Sequence, residues 1–435
     1  MFNRIFRAAD YWSTRNIPRM TKLAPVVPSA ILRARARAAF KDLMIWTASR
    51  SDYYRKRFAE AHIDPAWVGK IEHLGDFYTW PEDVQDDPLQ FLCRAPGLVC
   101  ETSGTTGRPK RTYFSYEEID WLARYEACAL YYCGIRSGDR VLCTFDQGFW
   151  VTGPMTEATL RHLNVFGSVV GKVPADEAYR RIQDDRYTVL LADPTWLLTL
   201  TDVASSAGNI PKLKFIMCGG DRLPERTRTY AQEVWRCPVL QGYGTTETCG
   251  FIGGECLERN GLHLDEFNLI VEIVDRDSEG FGEIVVTTLS RRVMPLIRYR
   301  TRDVARLVEG LCRCGSTIQR ISPLKARRDD MVVMGAGNIY PVLLEKLVEP
   351  VAGWPKVWQA AVLQREGRDV LEFRILKNGD LHLDELRKSI EEQIRIQQPG
   401  MWANLQCAMY CIDVREVMPT QSKQPRKVSW LVDER

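Results

Sequence analysis

Long hydrophobic runs, a strong charge of one sign and internal repeats are all missing from this 435-residue sequence. No apolar stretch approaches the roughly 18 residues that a membrane span needs, so we predict no transmembrane segment. The net charge is only +3 and the basic residues are spread along the chain, which argues against a nucleic-acid partner. The composition, 45% hydrophobic and 26% charged, is that of an ordinary globular protein of two or three domains.

A disulfide framework and a secretory leader are missing as well. The cysteine count of 13 is odd and the spacing is irregular, which favours free thiols in a reducing compartment and hence the cytoplasm. The N-terminal segment MFNRIFRAADYWSTRNIPRM is basic and amphipathic, but it has no apolar core or small-residue cleavage site. We interpret it as a surface helix, with a transit peptide as the alternative.

Short apolar runs alternate with helical segments from residue 95 onward. RVLCTFD, YTVLLADP, LKFIMCGG and CPVLQGYG resemble buried strands. The helical segments that alternate with these runs are YEEIDWLARYEACALYYCGI, TEATLRHLNVF and PERTRTYAQEVW. This alternation predicts βαβ units and therefore an α/β fold with a mixed or parallel sheet. In such sheets, ligands bind where the strands end and the loops gather.

The last part of the chain predicts a separate small domain. The pattern becomes β-rich between residues 264 and 310, and a new unit of strands and a helix begins near residue 328. We predict a large N-terminal domain, residues 1–327, that contains the mixed sheet and a β-rich subdomain. Residues 328–435 would form a small α+β lid that is mobile.

The segment ETSGTTGRPK, residues 101–110, concentrates hydroxyl groups and glycines in one short loop. Such a loop offers many N–H and O–H donors with little side-chain bulk, which suits phosphate oxygens, and Lys110 adds a positive charge. It is not a Walker A loop, because no Gly-Lys-Ser/Thr follows four residues after the first glycine. The alternative is a flexible surface turn.

Five sequence motifs, this loop among them, occur in the order that is typical of one known superfamily. YYRKRFAEAHIDP, the loop itself, LQGYGTTETCG, PLIRYRTRDVARL and ARRDDMVVMGAGNIYPVLLEKL follow one another along nearly the whole chain. Together they resemble the adenylate-forming superfamily of acyl-CoA synthetases and ligases, and in particular the phenylacetate–CoA ligase branch. The resemblance implies a large AMP-binding domain and a lid that rotates between two half-reactions.

The resemblance also implies a role for each motif residue. Glu247 would hold Mg²⁺ and Thr246 would donate to the α-phosphate, while Tyr243 would stack on adenine and Asp303 would accept from the ribose hydroxyls. The further nucleotide-binding residues that it implies are Thr102, Ser103, Gly104, Thr105, Thr106, Gly107, Lys110, Gly219, Gly220, Asp221, Gly244, Thr245 and Arg327. Asp329 would be the hinge of the lid, and the loop from Gly335 to Gly337 would line the channel for the pantetheine thiol.

Two segments differ from the pattern of the branch. FDQGFWVTGPM places Phe145, Phe149 and Trp150 where the branch has an aromatic pocket, although these rings also fit a simple core. The branch's Thr-Gly-Gly is Val-Thr-Gly here, so we expect an aryl or heteroaryl acid other than phenylacetate. The lid lysine falls on Gln424 in an ungapped match, so either Lys423 serves in its place or adenylation is weakened.

A second kind of site is suggested by CLERNGLH and CRC. Cys256, His263, Cys312 and Cys314 would make a soft tetrahedral set suited to structural Zn²⁺, with Cys249 as a weaker substitute. Free thiols in a reducing cell are the alternative. With four protein ligands, no position would remain open for water, so the metal would not be catalytic.

The sequence therefore predicts an ATP- and Mg²⁺-dependent ligase that makes an acyl-adenylate from a small carboxylic acid, which we expect to be aromatic from the residues of the pocket segment. Coenzyme A would be the acceptor, with a carrier-protein thiol or an amine as the first alternative. The second alternative is a degenerate module that only binds nucleotide or acid. Neither a membrane nor a nucleic acid is expected as a partner, and a homodimer is compatible with the resemblance.

Overall fold

The computed structural model describes residues 9–10, 12–102, 109–145, 147–171, 173–327, 332–334, 337–339, 341–354, 358–365, 368–376, 382–417 and 431–434. The chain forms two compact units. The first comprises Met1–Thr301 and Ala305–Pro323, and the second comprises Arg302–Val304 and Leu324–Arg435. The predicted domain boundary after residue 327 stays a prediction.

The first unit alternates strands and helices, as the sequence predicts. Its strands are β1 (Leu98–Glu101), β2 (Arg111–Phe114), β3 (Arg140–Cys143), β4 (Phe166–Val169), β5 (Val189–Ala192), β6 (Phe215–Cys218), β7 (Val239–Thr245), β8 (Gly250–Glu255), β9 (Leu262–Leu264), β10 (Leu269–Val274), β11 (Gly282–Thr288), β12 (Tyr299–Ala305), β13 (Leu307–Val308) and β14 (Arg320–Ile321). Strand β12 extends into the second unit through its residues 302–304.

The helices of the first unit begin before the sheet and then fill the gaps between its strands. They are α1 (Ile17–Leu23), α2 (Ser29–Arg50), α3 (Asp52–Glu60), α4 (Pro81–Asp86), α5 (Tyr116–Tyr132), α6 (Thr152–Leu163), α7 (Ala175–Asp184), α8 (Pro194–Ala207) and α9 (Glu225–Trp235), with 3₁₀ turns at Ala24–Val26, Ile71–Leu74 and Pro88–Phe91. Helix α5 starts with a capping box, in which Ser115 and Glu118 each bond the other's backbone N–H. None of the described helices is long and apolar enough to cross a membrane.

A mixed sheet with strand order β13-β14-β9-β8-β7-β6-β5-β3-β4 is the centre of the first unit. Strands β3 to β7 run parallel, and β8, β9, β14 and β13 continue the sheet antiparallel. Helices cover both faces. Val189 and Leu191 therefore pack into one apolar core, while Leu190 and Ala192 on the same strand pack into another. The predicted α/β fold with a mixed sheet is confirmed.

The second unit is a small α+β structure. Its elements are β15 (Ala326–Arg327), β16 (Val332–Met334), β17 (Gly337–Ile339), α10 (Pro341–Val348), β18 (Trp358–Arg365), β19 (Arg368–Leu376), α11 (Leu383–Gln397), α12 (Pro399–Gln406), β20 (Tyr410–Val417) and β21 (Leu431–Asp433). Its main sheet has the order β20-β19-β18-β21. Trp354, Trp358 and Phe373 pack edge to face in its core, which gives this unit an apolar centre of its own.

Candidate active site and candidate metal centre

The β1–β2 hairpin positions the predicted phosphate loop. The two strands pair antiparallel, and Glu101 and Arg111 face each other at the end of the ladder. Arg111 Nε lies 2.9 Å from Glu101 Oε1. Beyond them, the Thr102 N–H donates to the Lys110 carbonyl and the Lys110 N–H donates to Thr102 Oγ1, both at 3.0 Å. These bonds bring the two ends of the loop together. Ser103, Gly104, Thr105, Thr106 and Gly107 lie outside the described residues.

The side chain of Lys110 meets Glu247 inside the first unit. Lys110 Nζ lies 3.2 Å from Glu247 Oε1, and Tyr299 donates its hydroxyl to the same oxygen at 2.8 Å. Burial alone would raise the pKa of Glu247, but the charge of Lys110 and the hydrogen bonds from Tyr299 and Lys110 outweigh it and hold that pKa below the ordinary value. The carboxylate is thus ionised and oriented, which is the state that a metal ligand needs.

Glu247 sits on a tight turn that joins β7 to β8. The Cys249 N–H donates to the Thr246 carbonyl at 3.1 Å, and Thr245 and Thr248 share a hydroxyl contact of 3.1 Å. Gly244 must be glycine here, since a Cβ would lie 2.6 Å from the carbonyl carbon of Gly250. The motif residues from Tyr243 to Glu247 are therefore displayed together at the carboxyl end of β7.

The buried side chain of Arg291 holds this turn in place, and the sequence analysis did not identify this residue. Its guanidinium donates to the Glu247 carbonyl and, at 2.8 Å, to the Tyr113 carbonyl. It also lies over the Phe114 ring, 4.4 Å from the ring centroid. The residue is fully buried, so it joins the β1–β2 hairpin to the Glu247 turn from the interior. In the sequence it is the first of two arginines before the apolar run VMPLI, a pattern that gives no specific functional signal.

The segment Gly219-Gly220-Asp221 follows β6, the strand beside β7. Gly220 has φ +81°, and Asp221 Oδ1 accepts the N–H of Arg222 at 2.8 Å. A Cβ on Gly219 would lie 3.2 Å from Cζ of Phe145, so the ring of Phe145 packs directly on this glycine. The predicted adenine segment and part of the predicted acyl segment therefore meet at the carboxyl edge of the parallel strands.

The other two rings of the predicted acyl pocket are placed differently. Trp150 is half-buried, whereas Phe149 is 61% exposed. The Phe149 carbonyl accepts the N–H of Glu101 at 2.7 Å, so its backbone is tied to the start of the β1–β2 hairpin. Among the three aromatic residues, Phe145 is the one brought against Gly219.

In the second unit, Asp303 and Arg327 are directly paired between β12 and β15. Asp303 is buried, and the side chain of Arg327 lies outside the described part of the chain. Gly337 pairs with Met334 at the turn between β16 and β17. Further predicted lid residues lie outside the described ranges: Asp329, Gly335, Lys423 and Gln424. Their roles remain predictions.

Four side chains in the first unit form a candidate metal centre. The ligand atoms of Cys256, His263, Cys312 and Cys314 all lie within 4.8 Å of one another. Cys256 Sγ is 3.7 Å from Cys312 Sγ, and Cys314 Sγ is 3.5 Å from His263 Nε2. The pattern of thiols and imidazole that the sequence singled out is therefore brought together in space. Cys249 lies apart, in the apolar cluster with Met155.

Strand pairing and two turns create this cluster. β9 pairs with β14 so that His263 faces Arg320, while the carbonyls of Cys256 and Cys312 each accept an N–H three residues further on, at 2.9 Å. Burial, with a smaller effect of the Arg320 charge, lowers the pKa of His263 to about 4, so its imidazole is neutral. In the described structure His263 Nδ1 is buried without a hydrogen-bond partner. A neutral imidazole among thiols is a donor set that fits Zn²⁺.

Known proteins resemble this chain in sequence and in fold. The family of AMP-binding enzymes matches residues 78–288. A phenylacetate-coenzyme A ligase of Thermus thermophilus is 28% identical over 366 residues, which are 80% of this chain and 82% of that protein. A phenylacetate-coenzyme A ligase of Escherichia coli is 25% identical over 402 residues, covering 86% of this chain and 90% of that protein.

Among solved structures, a 2-hydroxyisobutyryl-CoA ligase in its postadenylation state has a TM-score of 0.81 with this chain. The match covers 95% of this chain and 91% of the other, at 17% sequence identity, so it concerns the fold. Residues 78–288 thus match the AMP-binding enzymes, and the fold of the chain is that of an acyl-CoA ligase that forms an adenylate. Along most of its length the sequence is similar to phenylacetate–CoA ligases. The resemblance inferred from the motifs is confirmed.

Proposed function

We propose that this protein activates a carboxylic acid with ATP as an acyl-adenylate and then transfers the acyl group to coenzyme A. The observation that carries the proposal is the buried arrangement of Lys110, Glu247 and Tyr299 at the carboxyl edge of the sheet, next to the ends of the phosphate loop. It combines an ionised carboxylate for a metal with a cation for phosphate. Joining of a carboxylic acid to coenzyme A is also the reaction that the names of the relatives give.

The first half-reaction brings an anionic carboxylate up to an anionic triphosphate, so the site must supply positive charge and donors. Mg²⁺, when bound, would neutralise phosphate oxygens and favour in-line attack. Glu247 is the residue proposed to hold it, since Lys110 and Tyr299 keep its buried carboxylate ionised and oriented. Lys110 is proposed to pair with the β- and γ-phosphates, and Thr246 to donate to the α-phosphate.

The remaining nucleotide contacts follow the motif roles. Tyr243 and the segment from Gly219 to Asp221 are proposed to flank adenine, which is consistent with their position on neighbouring parallel strands. Asp303 and Arg327 are proposed to bind the ribose hydroxyls. Two more roles are proposed for the lid: Asp329 as its hinge and the segment from Gly335 to Gly337 beside the pantetheine thiol.

The predicted lid would also supply a cation to the reaction. Lys423 is proposed to contact the acid carboxylate during adenylation, in place of the lysine that the branch would have at Gln424. The loss of such a cation in related chemistry costs on the order of 10²–10³ in rate. Lys423→Ala should therefore slow carboxylate-dependent pyrophosphate release by about that factor if Lys423 has this role.

The metal cluster is proposed to hold one structural Zn²⁺ through Cys256, His263, Cys312 and Cys314. The cluster joins the β8–β9 connection to the segment before β14, two stretches more than 50 residues apart in sequence. A metal ion that joins these two stretches would stabilise the antiparallel half of the central sheet.

We also propose a cytoplasmic location for the protein. The cysteines of the described structure are free thiols, which persist in a reducing compartment.

The test is an acid panel. Protein, ATP and Mg²⁺ are incubated with aromatic carboxylic acids, and acid-dependent pyrophosphate release is measured. Glu247→Gln should reduce release by about 10²-fold or more, because the metal loses its anionic ligand, whereas the exposed Glu157→Gln on α6 should leave it unchanged. If no acid of the panel supports pyrophosphate release, the ligase is overturned in favour of a module that only binds nucleotide or acid.

The acceptor is tested separately. Addition of coenzyme A to the active mixture should give an acyl-CoA thioester, detected by mass spectrometry. If acid-dependent pyrophosphate release occurs but a thioester or amide forms only with a carrier protein or an amine, the coenzyme A assignment is wrong while adenylation stands.

A further inference from the structure

Positive charge is concentrated on the first helices of the chain. Residues 12–45 contain seven lysines and arginines and a single acidic residue, Asp42, which gives them a net charge of +6. The whole chain has a net charge of +3, so the rest of it is negative overall. Asp42 pairs with Arg292, at 3.1 Å, and its charge is therefore engaged outside the segment.

Packing determines which side of these helices faces outward. Arg35 is turned inward, where it pairs with Asp10 and donates to the Phe267 carbonyl. The apolar residues of the same segment pack into the core beside α5, and they are Ile17, Met20, Ala24 and Leu32. The opposite side of the segment is left at the surface.

We call the outward side of residues 12–45 the N-terminal basic surface. Arg33, Arg37 and Lys41 follow one another at intervals of four residues along α2, so the helical period places them on one face. The six exposed cations of the surface are Arg15, Arg19, Lys22, Arg33, Arg37 and Lys41.

Large apolar side chains are exposed among these cations. Trp12 is 59% exposed, and the guanidinium carbon of Arg19 lies 4.1 Å from the centroid of its ring. Val26 is 58% exposed in the 3₁₀ turn, and Leu23 before it and Ile31 after it are exposed as well. Single exposed apolar residues are ordinary, but a group of them in one short segment indicates a surface that binds something.

The turn that carries Val26 is fixed to the rest of the first unit. The Thr317 N–H donates to the Pro25 carbonyl at 2.7 Å, and its hydroxyl donates to the Val27 carbonyl at 2.9 Å. The backbone is thus held on both sides of Val26. Its side chain is displayed by a braced turn and not by a loose end of the chain.

We infer that the N-terminal basic surface binds the surface of membranes that contain anionic lipids. Cations that pair with headgroups, together with apolar side chains that enter the boundary with the acyl chains, are the features of a helix that lies in the membrane interface. This mode of binding needs no spanning helix, and none of the described helices is one. The expectation that a membrane is not a partner depended on the lack of such a span.

Two other occupants of the surface are less favoured. In a two-fold dimer the surface would face a copy of itself, which would bring like charges together. A nucleic acid would pair with the cations, but Leu23, Val26 and Ile31 offer no aromatic face on which bases could stack. A lipid boundary accommodates both the cations and the aliphatic side chains.

The experiment is co-sedimentation of the full-length protein with vesicles. Vesicles of phosphatidylcholine alone are compared with vesicles that contain about 30% phosphatidylglycerol. We expect at least about tenfold tighter binding to the anionic vesicles, and weaker binding as the salt concentration rises from about 0.1 M to about 0.5 M. Equal binding to both kinds of vesicle, or no binding to the anionic ones, would overturn the inference.

A charge variant tests the cations of α2. Each basic residue near an anionic membrane strengthens binding about fivefold, so Arg37→Gln combined with Lys41→Gln should bind the anionic vesicles about 10- to 30-fold more weakly. Arg180→Gln combined with Lys212→Gln is the matched control, because it removes the same charge from exposed positions elsewhere in the first unit. The control should bind like the wild type. An equal loss in both double variants would mean unspecific attraction and would contradict a defined surface.

An apolar variant tests the other half of the surface. Leu23→Ser combined with Val26→Ser should weaken binding to anionic vesicles about tenfold, because less apolar surface enters the membrane boundary. The Tm of each variant should stay near that of the wild type, since the altered side chains are exposed. A protein dimer that dissociates in this variant would assign the surface to a second copy and overturn the lipid assignment. Duplex DNA that competes fully with anionic vesicles, and binds equally well to this variant, would overturn it too.

The inference goes beyond the proposed function and does not depend on it. Vesicle binding is measured without ATP or an acid, so a failure of pyrophosphate release would leave the vesicle result standing. Absence of vesicle binding in a protein that releases pyrophosphate would overturn the membrane surface alone.

Discussion

Lys110 Nζ lies 3.2 Å from Oε1 of Glu247, and both side chains are largely buried, at 16% and 9% exposure. The two residues are 137 positions apart in the sequence, yet they belong to the two motifs that the proposed reaction uses for phosphate and metal. Their contact brings the proposed phosphate-binding residue and the proposed metal ligand together at the carboxyl edge of the sheet. Several expected outcomes depend on this pair and on its neighbours.

Removal of the positive charge of Lys110 should destabilise the fold. Lys110→Met leaves the Glu247 carboxylate buried without its charge partner, and we expect the free energy of unfolding to fall by about 3–5 kcal/mol. Chemical denaturation checks this. Arg111→Met is the matched control, since it breaks an ion pair with Glu101 in which Arg111 is 61% exposed, and it should have a much smaller effect. Equal effects of the two changes would contradict a buried pair.

The pair should also give stability a defined pH dependence. The pKa of Glu247 in the folded protein is held below 4.5, because the charge of Lys110 and the hydrogen bonds outweigh burial. A carboxylate with a depressed pKa stabilises the fold above its unfolded pKa, and this contribution is lost as the pH falls through the folded pKa. The difference in Tm between the wild type and Lys110→Met should therefore be full near neutrality and shrink below pH 4.5. A difference that grows on acidification would contradict this assignment.

Tyr299 should act as a positioning residue for the metal ligand. Tyr299→Phe removes the 2.8 Å hydrogen bond to Glu247 Oε1, and we expect half-maximal pyrophosphate release to need about 10- to 100-fold more Mg²⁺. The rate at saturating Mg²⁺ should be largely retained. Tyr230→Phe removes an exposed hydroxyl contact to Asp202 and should leave the Mg²⁺ dependence unchanged. A fall in Tm without a change in Mg²⁺ dependence would indicate a merely structural hydroxyl.

The cysteine and histidine cluster should bind one zinc ion per chain. Protein purified without added metal should contain zinc by elemental analysis, and Cys256→Ser should lose it and melt at a lower temperature. Cys407→Ser, at an exposed cysteine outside the cluster, is the matched control and should retain zinc. A zinc-free protein with the wild-type Tm would show that the four side chains have another purpose.

Gly244 should tolerate no side chain. In Gly244→Ala the new Cβ would lie 2.6 Å from the carbonyl carbon of Gly250, so the turn that carries Glu247 must move. We expect loss of pyrophosphate release of at least about 10²-fold, since a displacement of about 1 Å is enough for that. Gly400→Ala is the matched control, because a Cβ there meets no atom within 4 Å and the residue lies in helix α12. Retained activity in Gly244→Ala would mean that the turn adapts.

Much of the fold was predictable because its signals are local. The alternation of apolar runs and helical stretches predicted β3, β5, β6 and β7 and the helices α5, α6 and α9, and the Ser115–Glu118 capping box is a signal for the start of α5. Two further residues were missed. Arg291 lies outside every motif and Tyr299 lies inside PLIRYRTRDVARL without a predicted role, and the importance of both comes from the groups that they meet in space.

The order of residues was sufficient for the chemistry that is local to a few positions. The hydroxyl-rich loop after β1, the Gly244 turn and the paired cysteine motifs can be read along the chain, because backbone geometry and ligand type depend on neighbouring residues. Which of these groups meet, and how burial changes their charge, was settled by strand pairing and packing. The Lys110–Glu247–Tyr299 contact joins segments separated by 52 residues and more, and desolvation depends on everything that surrounds a group.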